Sequence, residues 1–314
     1  MGDLMPLNRS SAPQRMLYIL LRVLCAAGLV LTAGVVRGSV LRADGNEATV
    51  CAVGCDYSTV QAAVDGMTPG SDTIIRIMDL VHTEYGILVD KAVTIAAPTG
   101  SSGILQAATA ADSSPERVIT VAAGATVTVQ DLTIRHGVTS GSTAKGGGVL
   151  NEGNLTLNRV TLTTNRVEGT QSAAGAGIWN AGTLTMTGSA VMNNTAIGEN
   201  AYSFWDDGGS ARGGGIASEG NLFLDRVTVE GNTAAGGYGF LGGWASGAGI
   251  WSVGSFLMTN STVAGNSGMA GDGKAEYAGS AEGGGLYCGA SDTVAEAVNS
   301  TFSGNLAKSG EARG

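Results

Sequence analysis

Pairs of apolar residues separated by one polar residue recur along the chain, as in Leu155-Thr-Leu157 and Val227-Thr-Val229. A period of two is typical of a β-strand that buries one face and exposes the other. Glycine and asparagine, which favour turns, follow these short segments. The pattern therefore predicts many short strands connected by tight turns.

The strands belong to a repeat that opens with glycine. Five openings share a pattern: Gly146-Gly-Gly-Val, Gly175-Ala-Gly-Ile, Gly213-Gly-Gly-Ile, Gly247-Ala-Gly-Ile and Gly283-Gly-Gly-Leu. Apolar residues then fall in register from repeat to repeat, for example Leu155, Leu184, Leu222 and Phe256, or Leu162, Val191, Val229, Val263 and Phe302. A constant phase predicts the coils of a parallel solenoid, because stacking the coils pairs their backbones and buries like side chains together.

Each repeat ends near an asparagine, and the set is Asn165, Asn194, Asn232, Asn266 and Asn305. In the first four repeats the asparagine lies 19 residues after the opening glycine. We place these residues at the coil corners, where asparagine tolerates left-handed backbone angles and its amide hydrogen-bonds to the asparagines above and below. They form a predicted structural ladder.

The solenoid begins upstream of the glycine openings. Val118-Ile-Thr-Val and Thr126-Val-Thr-Val keep the strand phase, so the repeats extend back to about residue 117, and residues 57–116 hold the cap and first coils. The segment Tyr57-Ser-Thr-Val-Gln-Ala-Ala-Val-Asp-Gly66 predicts a short helix whose apolar face covers the first coil. The fold class is therefore all-β, a parallel β-helix with an N-terminal capping helix.

Composition narrows the function classes. Glycine supplies 51 of 314 residues and the formal net charge is -9. An acidic chain lacks the cations that neutralise phosphates, so we expect no nucleic-acid partner. The two histidines do not support a His-based metal site, and we predict neither a metal nor a cofactor.

The N-terminus reads as an export segment. Residues 1–38 have an arginine-bearing start followed by an apolar run, which predicts a signal peptide, with an uncleaved membrane anchor as the alternative. Residues 39–56 read as a linker that carries Cys51 and Cys55. An oxidising compartment favours a disulfide between these two, although two buried thiols remain the other interpretation. Cys288 is left as a core or ladder residue.

Two segments resemble known families. Cys55-Asp-Tyr-Ser-Thr-Val-Gln-Ala-Ala-Val is similar to the capping segment of pectin-lyase-like β-helix proteins. The Gly-Gly-(Gly/Ala)-Ile openings with a later (Val/Phe)-x-x-Asn, as in Phe302-Ser-Gly-Asn305, resemble the repeats of polymorphic outer membrane proteins. The resemblance implies a right-handed β-helix and leaves the function open, because such helices serve as lyases, hydrolases, esterases, adhesins and stalks.

Variable excursions follow the corner asparagines, and they lie on one edge of the predicted solenoid. Insertions on one face of a repeat protein often mark its binding face. Aromatic residues there suit sugar stacking, although they are equally suited to covering the flank of the helix. The candidate binding residues are Tyr202, Phe204, Trp205, Tyr238, Phe240 and Trp244. Trp179, Trp251 and Tyr287 share another repeat position and predict either a ligand platform or a stiffening stack on the flank.

Catalytic candidates are few. Asp206 and Asp207 resemble the paired acids of polygalacturonase-type hydrolases, and His136-Gly137 resembles their His-Gly element, but the order is reversed and the other family motifs are missing. Asp225 beside Arg226 supplies residue types that a lyase or esterase needs. Solvated surface carboxylates are the alternative for all three acids.

These observations predict a non-catalytic exported β-helix, an adhesin-like or scaffold module located outside the cell, at the cell surface or at the outer membrane. Its expected partner is a polysaccharide or surface glycan held by the excursions. Membrane contact is expected only through the N-terminal segment or a part of the protein beyond residue 314. The alternative is a pectin-lyase-type carbohydrate-active enzyme, either a polysaccharide lyase or a glycoside hydrolase.

Overall fold

A computed structural model of the chain describes residues 46–70, 72–203, 205–274, 277–289 and 294–313. The predicted export segment, residues 1–38, lies outside the described residues. Strands of successive coils pair in parallel and in register, which gives the right-handed parallel β-helix that the repeat predicts. From residue 126 onward each coil passes in turn through four sheets, which we number 1 to 4 in chain order, whereas the earlier coils have no strand in sheet 3.

Sheets 1 and 2 carry the regular strands of each coil. The strands of sheet 1 are Glu47–Val50, Ile74–Ile77, Val93–Ala96, Thr126–Gln130, Asn154–Asn158, Thr183–Thr187, Asn221–Asp225, Phe256–Thr259 and Ala295–Val298. The strands of sheet 2 are Val81–Thr83, Gly103–Gln106, Leu132–Arg135, Thr161–Thr163, Ala190–Met192, Thr228–Glu230, Thr262–Ala264 and Thr301–Ser303.

Sheets 3 and 4 complete the coil. The strands of sheet 3 are Val138–Lys145, Arg166–Ala174, Thr195–Gly198, Ser210–Arg212, Thr233–Ala235, Ala245–Ser246, Ser267–Met269, Ala281–Glu282 and Leu306–Lys308. The strands of sheet 4 are Ile87–Val89, Ile119–Val121, Val149–Asn151, Ile178–Asn180, Ile216–Ser218, Ile250–Ser252 and Leu286–Cys288. A further pair joins Gly273–Lys274 to Ala312–Arg313.

Left-handed backbone angles turn the chain at three corners of the coil, one of which lies between sheets 1 and 2, as at Asp131 with φ of 57°. The corner between sheets 3 and 4 is the opening glycine, with φ of 63° at Gly146 and Gly175. The corner between sheets 2 and 3 falls on the residue before each ladder asparagine, such as Thr164 and Asn193, both at φ 54°. The sequence-based prediction of the left-handed residue was therefore wrong by one position. The ladder asparagines do not adopt the left-handed conformation themselves, and they contribute to the corner through the hydrogen bonds of their side chains.

Four of the ladder asparagines, Asn165, Asn194, Asn232 and Asn266, are buried inside the corner, and Asn305 is partly buried. The Nδ2 of Asn194 donates to Asn232 Oδ1 at 3.0 Å and to the Leu162 carbonyl at 3.0 Å. Its Oδ1 accepts from both the backbone N–H and the side-chain Nδ2 of Asn165, each at 3.0 Å. The same Nδ2-to-Oδ1 contact runs on through Asn266 to Asn305. Each side-chain amide thus hydrogen-bonds to the coil before its own and to the coil after it.

The apolar interior is a stack of ranks. Leu155, Leu184 and Leu222 lie one above another in sheet 1, and Ile178, Ile216 and Ile250 do so in sheet 4. These side chains are buried. Sheet 3 is lined instead by small residues, and its buried cluster contains Ala144, Val167, Ala173, Ala176, Ala196, Ala211, Ala234 and Ala248. The interior is therefore filled by large aliphatic side chains from sheets 1, 2 and 4 and by small ones beside sheet 3.

Tryptophans and cations alternate on the outer flank where sheets 3 and 4 meet. Lys145 lies 4.0 Å from the Trp179 ring centre on the next coil, and Arg212 lies 5.3 Å from that of Trp251. The strands hold Ala217 between the two tryptophans, so these rings do not stack on each other. Both rings are buried. This row is a covered flank rather than a ligand platform.

The N-terminal cap, which we define as residues 51–66, consists of a disulfide loop and a helix. Cys51 and Cys55 form the expected disulfide. The helix Val60–Gly66 starts at the N-cap residue Thr59, whose side chain accepts from the Ala62 N–H at 3.2 Å. Its buried face of Val60, Ala63 and Val64 covers the end of the solenoid. The cap thereby shields the first coil, which otherwise presents unpaired strand edges.

Two sequence-based placements need correction. Residues 47–50 fall in the range expected to be a linker, but they pair with Ile74–Ile77 as the first strand of sheet 1, since Ala48 and Val50 point into the core. Cys288 shares the register of Ser252 in sheet 4, as expected of a ladder position, yet it is exposed rather than buried. It lies in the last described strand of that sheet.

We expect Asn194→Ala to lower the free energy of unfolding by about 3 kcal/mol, because it leaves buried donors and acceptors on both neighbouring coils without partners. Urea unfolding followed by circular dichroism measures this loss. The control is Asn154→Ala, which changes an exposed asparagine of sheet 1 and should stay within about 0.5 kcal/mol of the parent. Equal losses in the two variants would contradict the ladder as a source of stability.

Candidate functional site

Three excursions leave the solenoid from sheet 3. They comprise residues 199–209, 236–244 and 270–280, and we call them together the fringe. Each excursion departs from the end of one sheet 3 strand and returns as another strand of the same sheet. Because equivalent positions of a solenoid stack, the three lie side by side along the helix axis.

Backbone hydrogen bonds tie the excursions to one another. The Ala201 N–H donates to the Tyr238 carbonyl at 2.6 Å, and the Phe240 N–H donates to the Asp206 carbonyl at 2.7 Å. The third excursion joins in the same way, with the Lys274 N–H donating to the Gly239 carbonyl at 3.2 Å. The fringe therefore continues the layered stacking of the coils.

Glycine permits this close layering. A Cβ atom on Gly237 would lie 2.0 Å from the Glu199 carbonyl oxygen, and one on Gly271 would lie 1.9 Å from that of Gly237. Backbone thus packs directly on backbone from one excursion to the next. The glycines that match a dinucleotide-binding pattern in the sequence, Gly237, Gly239 and Gly242, belong to this layered base.

Each excursion contributes one ring to an aromatic row. The ring centres of Trp205 and Phe240 lie 5.4 Å apart, and those of Phe240 and Tyr277 lie 5.5 Å apart. Trp205 is 71% exposed and Tyr277 is 51% exposed, while Phe240 between them is half-buried. The outer rings of the row, Trp205 and Tyr277, face solvent, and each is held in place by its contact with Phe240.

Tyr277 was missed by the sequence analysis. It is the aromatic residue of the third excursion, and the register of that excursion relative to Asn266 and Gly283 was the available signal. The other predicted binding residues that the structure describes lie outside the aromatic row. Phe204 lies outside the described residues, Trp244 is exposed without joining the row, and Tyr238 lies under the Lys274 ammonium at 5.7 Å.

A cleft of about 700 Å³ opens next to the first excursion. Its walls carry Tyr202 and three acidic side chains, Glu199, Asp206 and Asp207, together with Thr170, Gln171, Asn200, Ala201, Gly208 and Ser210. Asp207 accepts a hydrogen bond from the Leu241 N–H at 3.1 Å, which anchors it to the second excursion. Within the described part of the chain, the carboxylates of Glu199 and Asp206 make no hydrogen bond or ion pair. The cleft is therefore acidic, and two of its carboxylates are available to a ligand.

Asp225 lies elsewhere, at the outer end of a sheet 1 strand. Its Oδ1 accepts from Asn260 Nδ2 at 3.0 Å and from Thr259 Oγ1 at 2.9 Å, and Arg226 lies 3.0 Å from its other oxygen. The hydrogen bond from Asn260 is the main reason that the pKa of Asp225 lies below its ordinary value. These contacts hold the carboxylate ionised between two coils, which is a structural role. The structure does not bring it together with Asp206 and Asp207.

Charged and polar residues also hold the corners of the coil. Arg159 donates to both carboxylate oxygens of Asp131 on the preceding coil, at 2.6 and 2.8 Å. His136 sits at a left-handed corner with φ 62°, and its Nδ1 lies 2.9 Å from the Ala108 carbonyl oxygen. The His-Gly element therefore occupies a turn and is not part of the acidic cleft.

No group of three or more His, Cys, Asp or Glu side chains within the described residues is arranged to hold a metal ion. No helix within them is long and apolar enough to span a bilayer.

No protein-family model matches the chain, and no curated protein matches it. Two solved structures show weak similarity. One is described as an iota-carrageenase complexed to iota-carrageenan fragments, with 12% identity, 66% of this chain and 50% of that chain covered, and a TM-score of 0.21. The other is a 1,3-α-1,4-β-D-galactose-4-sulfate-3,6-anhydro-D-galactose-2-sulfate 4 galactohydrolase, with 13% identity, coverage of 63% and 55%, and a TM-score of 0.19. The chain spans about half the length of these two proteins, and scores this low carry no argument about function. The strand pairing itself establishes the fold.

We expect Gly271→Ala to disrupt the fringe, because its new Cβ would lie 1.9 Å from the Gly237 carbonyl oxygen. The aromatic row should loosen, and the near-ultraviolet circular dichroism of its rings should weaken. Gly268→Ala is the matched control, since its Cβ would meet its nearest atom at 3.6 Å, an ordinary contact. Unchanged aromatic signals in Gly271→Ala would show that the excursions are not packed as described.

Proposed function

We propose that this chain is a non-catalytic, exported β-helix module that binds a glycan along the fringe. The observation that carries the proposal is the aromatic row beside the acidic cleft, one ring from each of three hydrogen-bonded excursions. Exposed rings of Trp205 and Tyr277 offer apolar faces to sugar rings. The carboxylates of Glu199 and Asp206 offer acceptors to sugar hydroxyls.

The negative charge of the cleft limits the class of glycan that it can bind. Three carboxylates line it without a lysine or arginine among the lining residues. An acidic polysaccharide would meet like charge there, which costs binding free energy. The ligand is accordingly a neutral or amine-bearing glycan, and the acidic cleft disfavours polymers rich in carboxylate or sulfate.

The remaining assignments are proposals of the same kind. Residues 1–38 act as the export segment, residues 57–116 as the cap and first coils, and residues 117–314 as the repeat region. The disulfide of the cap supports an oxidising compartment outside the cytosol. Placement of the chain among the pectin-lyase-like proteins, with repeats like those of polymorphic outer membrane proteins, rests on its sequence motifs. An adhesin or surface scaffold is the role that fits a contact face of this kind.

Binding to a panel of immobilised neutral, amine-bearing and acidic polysaccharides tests the proposal. We expect retention on polymers of the first two classes, and Trp205→Ala and Tyr277→Ala should each weaken it about tenfold, the effect of losing about 1.4 kcal/mol of ring contact. Tyr85→Ala is the control, because Tyr85 is also 51% exposed but lies in the first coils. Retention that is equal in all four proteins would refute the fringe as the binding face.

The same incubations separate binding from catalysis. Assays for new reducing or unsaturated ends should show no product with any polymer. Product that disappears in Asp206→Asn or Asp207→Asn, with binding retained, would replace the binding module by a pectin-lyase-type enzyme acting in the acidic cleft.

A further inference from the structure

A titratable residue occupies a core position in the first coil. In sheet 2, His82 pairs in register with Leu105, and the same inward rank continues through Ile134 and Leu162. His82 is only 6% exposed. It is therefore an imidazole at the end of an apolar rank, at the place where the cap meets the solenoid.

Both ring nitrogens of His82 face carboxylates. Nε2 lies 3.0 Å from Glu84 Oε2, and Nδ1 lies 3.3 Å from Asp79 Oδ2. A carboxylate oxygen accepts hydrogen bonds and donates none, so both ring nitrogens must carry a proton to be satisfied. A neutral imidazole has one N–H, which leaves a lone pair directed at one of the two carboxylates. The geometry therefore suits the imidazolium form.

The two carboxylates hold the two halves of the cap. Glu84 accepts from the Val60 N–H at 2.6 Å and from the Gln61 N–H at 2.8 Å, where the helix starts. Asp79 accepts from the Ala52 N–H at 3.0 Å, inside the disulfide loop. His82 thus stands between the anchor of the helix and the anchor of the loop.

We propose that protonated His82 clasps the N-terminal cap to the first coil, and that the cap loosens when this imidazole loses its proton. The charged groups that face the ring are Asp79 and Glu84; the next coil presents Leu105, and the cap presents backbone N–H groups. Loss of the proton removes one donor and sets a lone pair against an ionised oxygen. The cap then keeps its carboxylate anchors but loses the cation that orients both of them.

The sign of the pH dependence follows from the same contacts. Hydrogen bonds and charge attraction from Glu84 and then Asp79 raise the pKa of His82 above its ordinary value, although burial opposes them. A raised pKa in the folded state means that the stabilisation is complete below the unfolded value of about 6.5 and is lost as the pH rises through the folded pKa. The cap is therefore held at acidic pH and loosened at alkaline pH.

Hydrogen exchange of the full chain from about pH 5 to about pH 9, a range that spans imidazole titration, tests the clasp. Protection is expressed relative to the chemical exchange rate at each pH, with residues 149–192 as the internal reference. We expect the protection of residues 52–66 to fall about tenfold as His82 loses its proton, which corresponds to one charge-assisted hydrogen bond. His82→Gln should show weak protection that does not vary with pH.

The second histidine supplies the control. His136→Asn keeps a residue that tolerates the left-handed corner, and it should retain the parental pH dependence of the cap. Proton NMR titration of the imidazoles in the unaltered protein gives an independent readout if His82→Gln folds poorly. A His82 pKa at or below the ordinary value, cap protection that is constant with pH, or a drop that persists in His82→Gln would each overturn the clasp.

Discussion

The structure depends on one constraint: the backbone of each coil is satisfied only by the coils above and below it. Parallel pairing in register then forces equivalent side chains to lie one coil apart, so that like residues meet like residues. Asparagine suits this arrangement inside a corner, because one amide both donates to one neighbour and accepts from the other. The apolar ranks and the amide ladder both result from this stacking of identical positions.

The constraint also governs the parts of the molecule that are not regular strands. The excursions of the fringe stack because the coils that carry them stack, and glycine allows their backbones to touch. At the N-terminal end of the described residues, the cap covers the first coil with a helix, a disulfide loop and an ionic contact. The parts that do not repeat thus lie at the edges of the repeating body.

The sequence was sufficient to predict the features that recur in every coil. The ranks of Leu155 and Leu162 could be predicted from it, because the same residue type recurs at a constant spacing. The capping helix was predicted from its own cap and apolar face, and the position of the fringe from the variable distance between a ladder asparagine and the next opening glycine. Features that occur once left no periodic signal. The contacts of His82 with Asp79 and Glu84 are of this kind. The one-residue offset of the left-handed corners, as at Thr164 and Asn193, does recur, but it depends on local backbone geometry that spacing alone does not reveal. The pairing of Trp205, Phe240 and Tyr277 required the folded path of the excursions.

The cation–tryptophan pairs on the flank join neighbouring coils through side chains as well as through the backbone. Lys145 covers Trp179 and Arg212 covers Trp251, and in both pairs the cation stands on the coil before the ring. Ala217 separates the two indoles, whereas Tyr287 follows Trp251 directly in register. A coil inserted between a cation and its ring would leave that indole without its cation, so each of these two pairs of coils behaves as a unit.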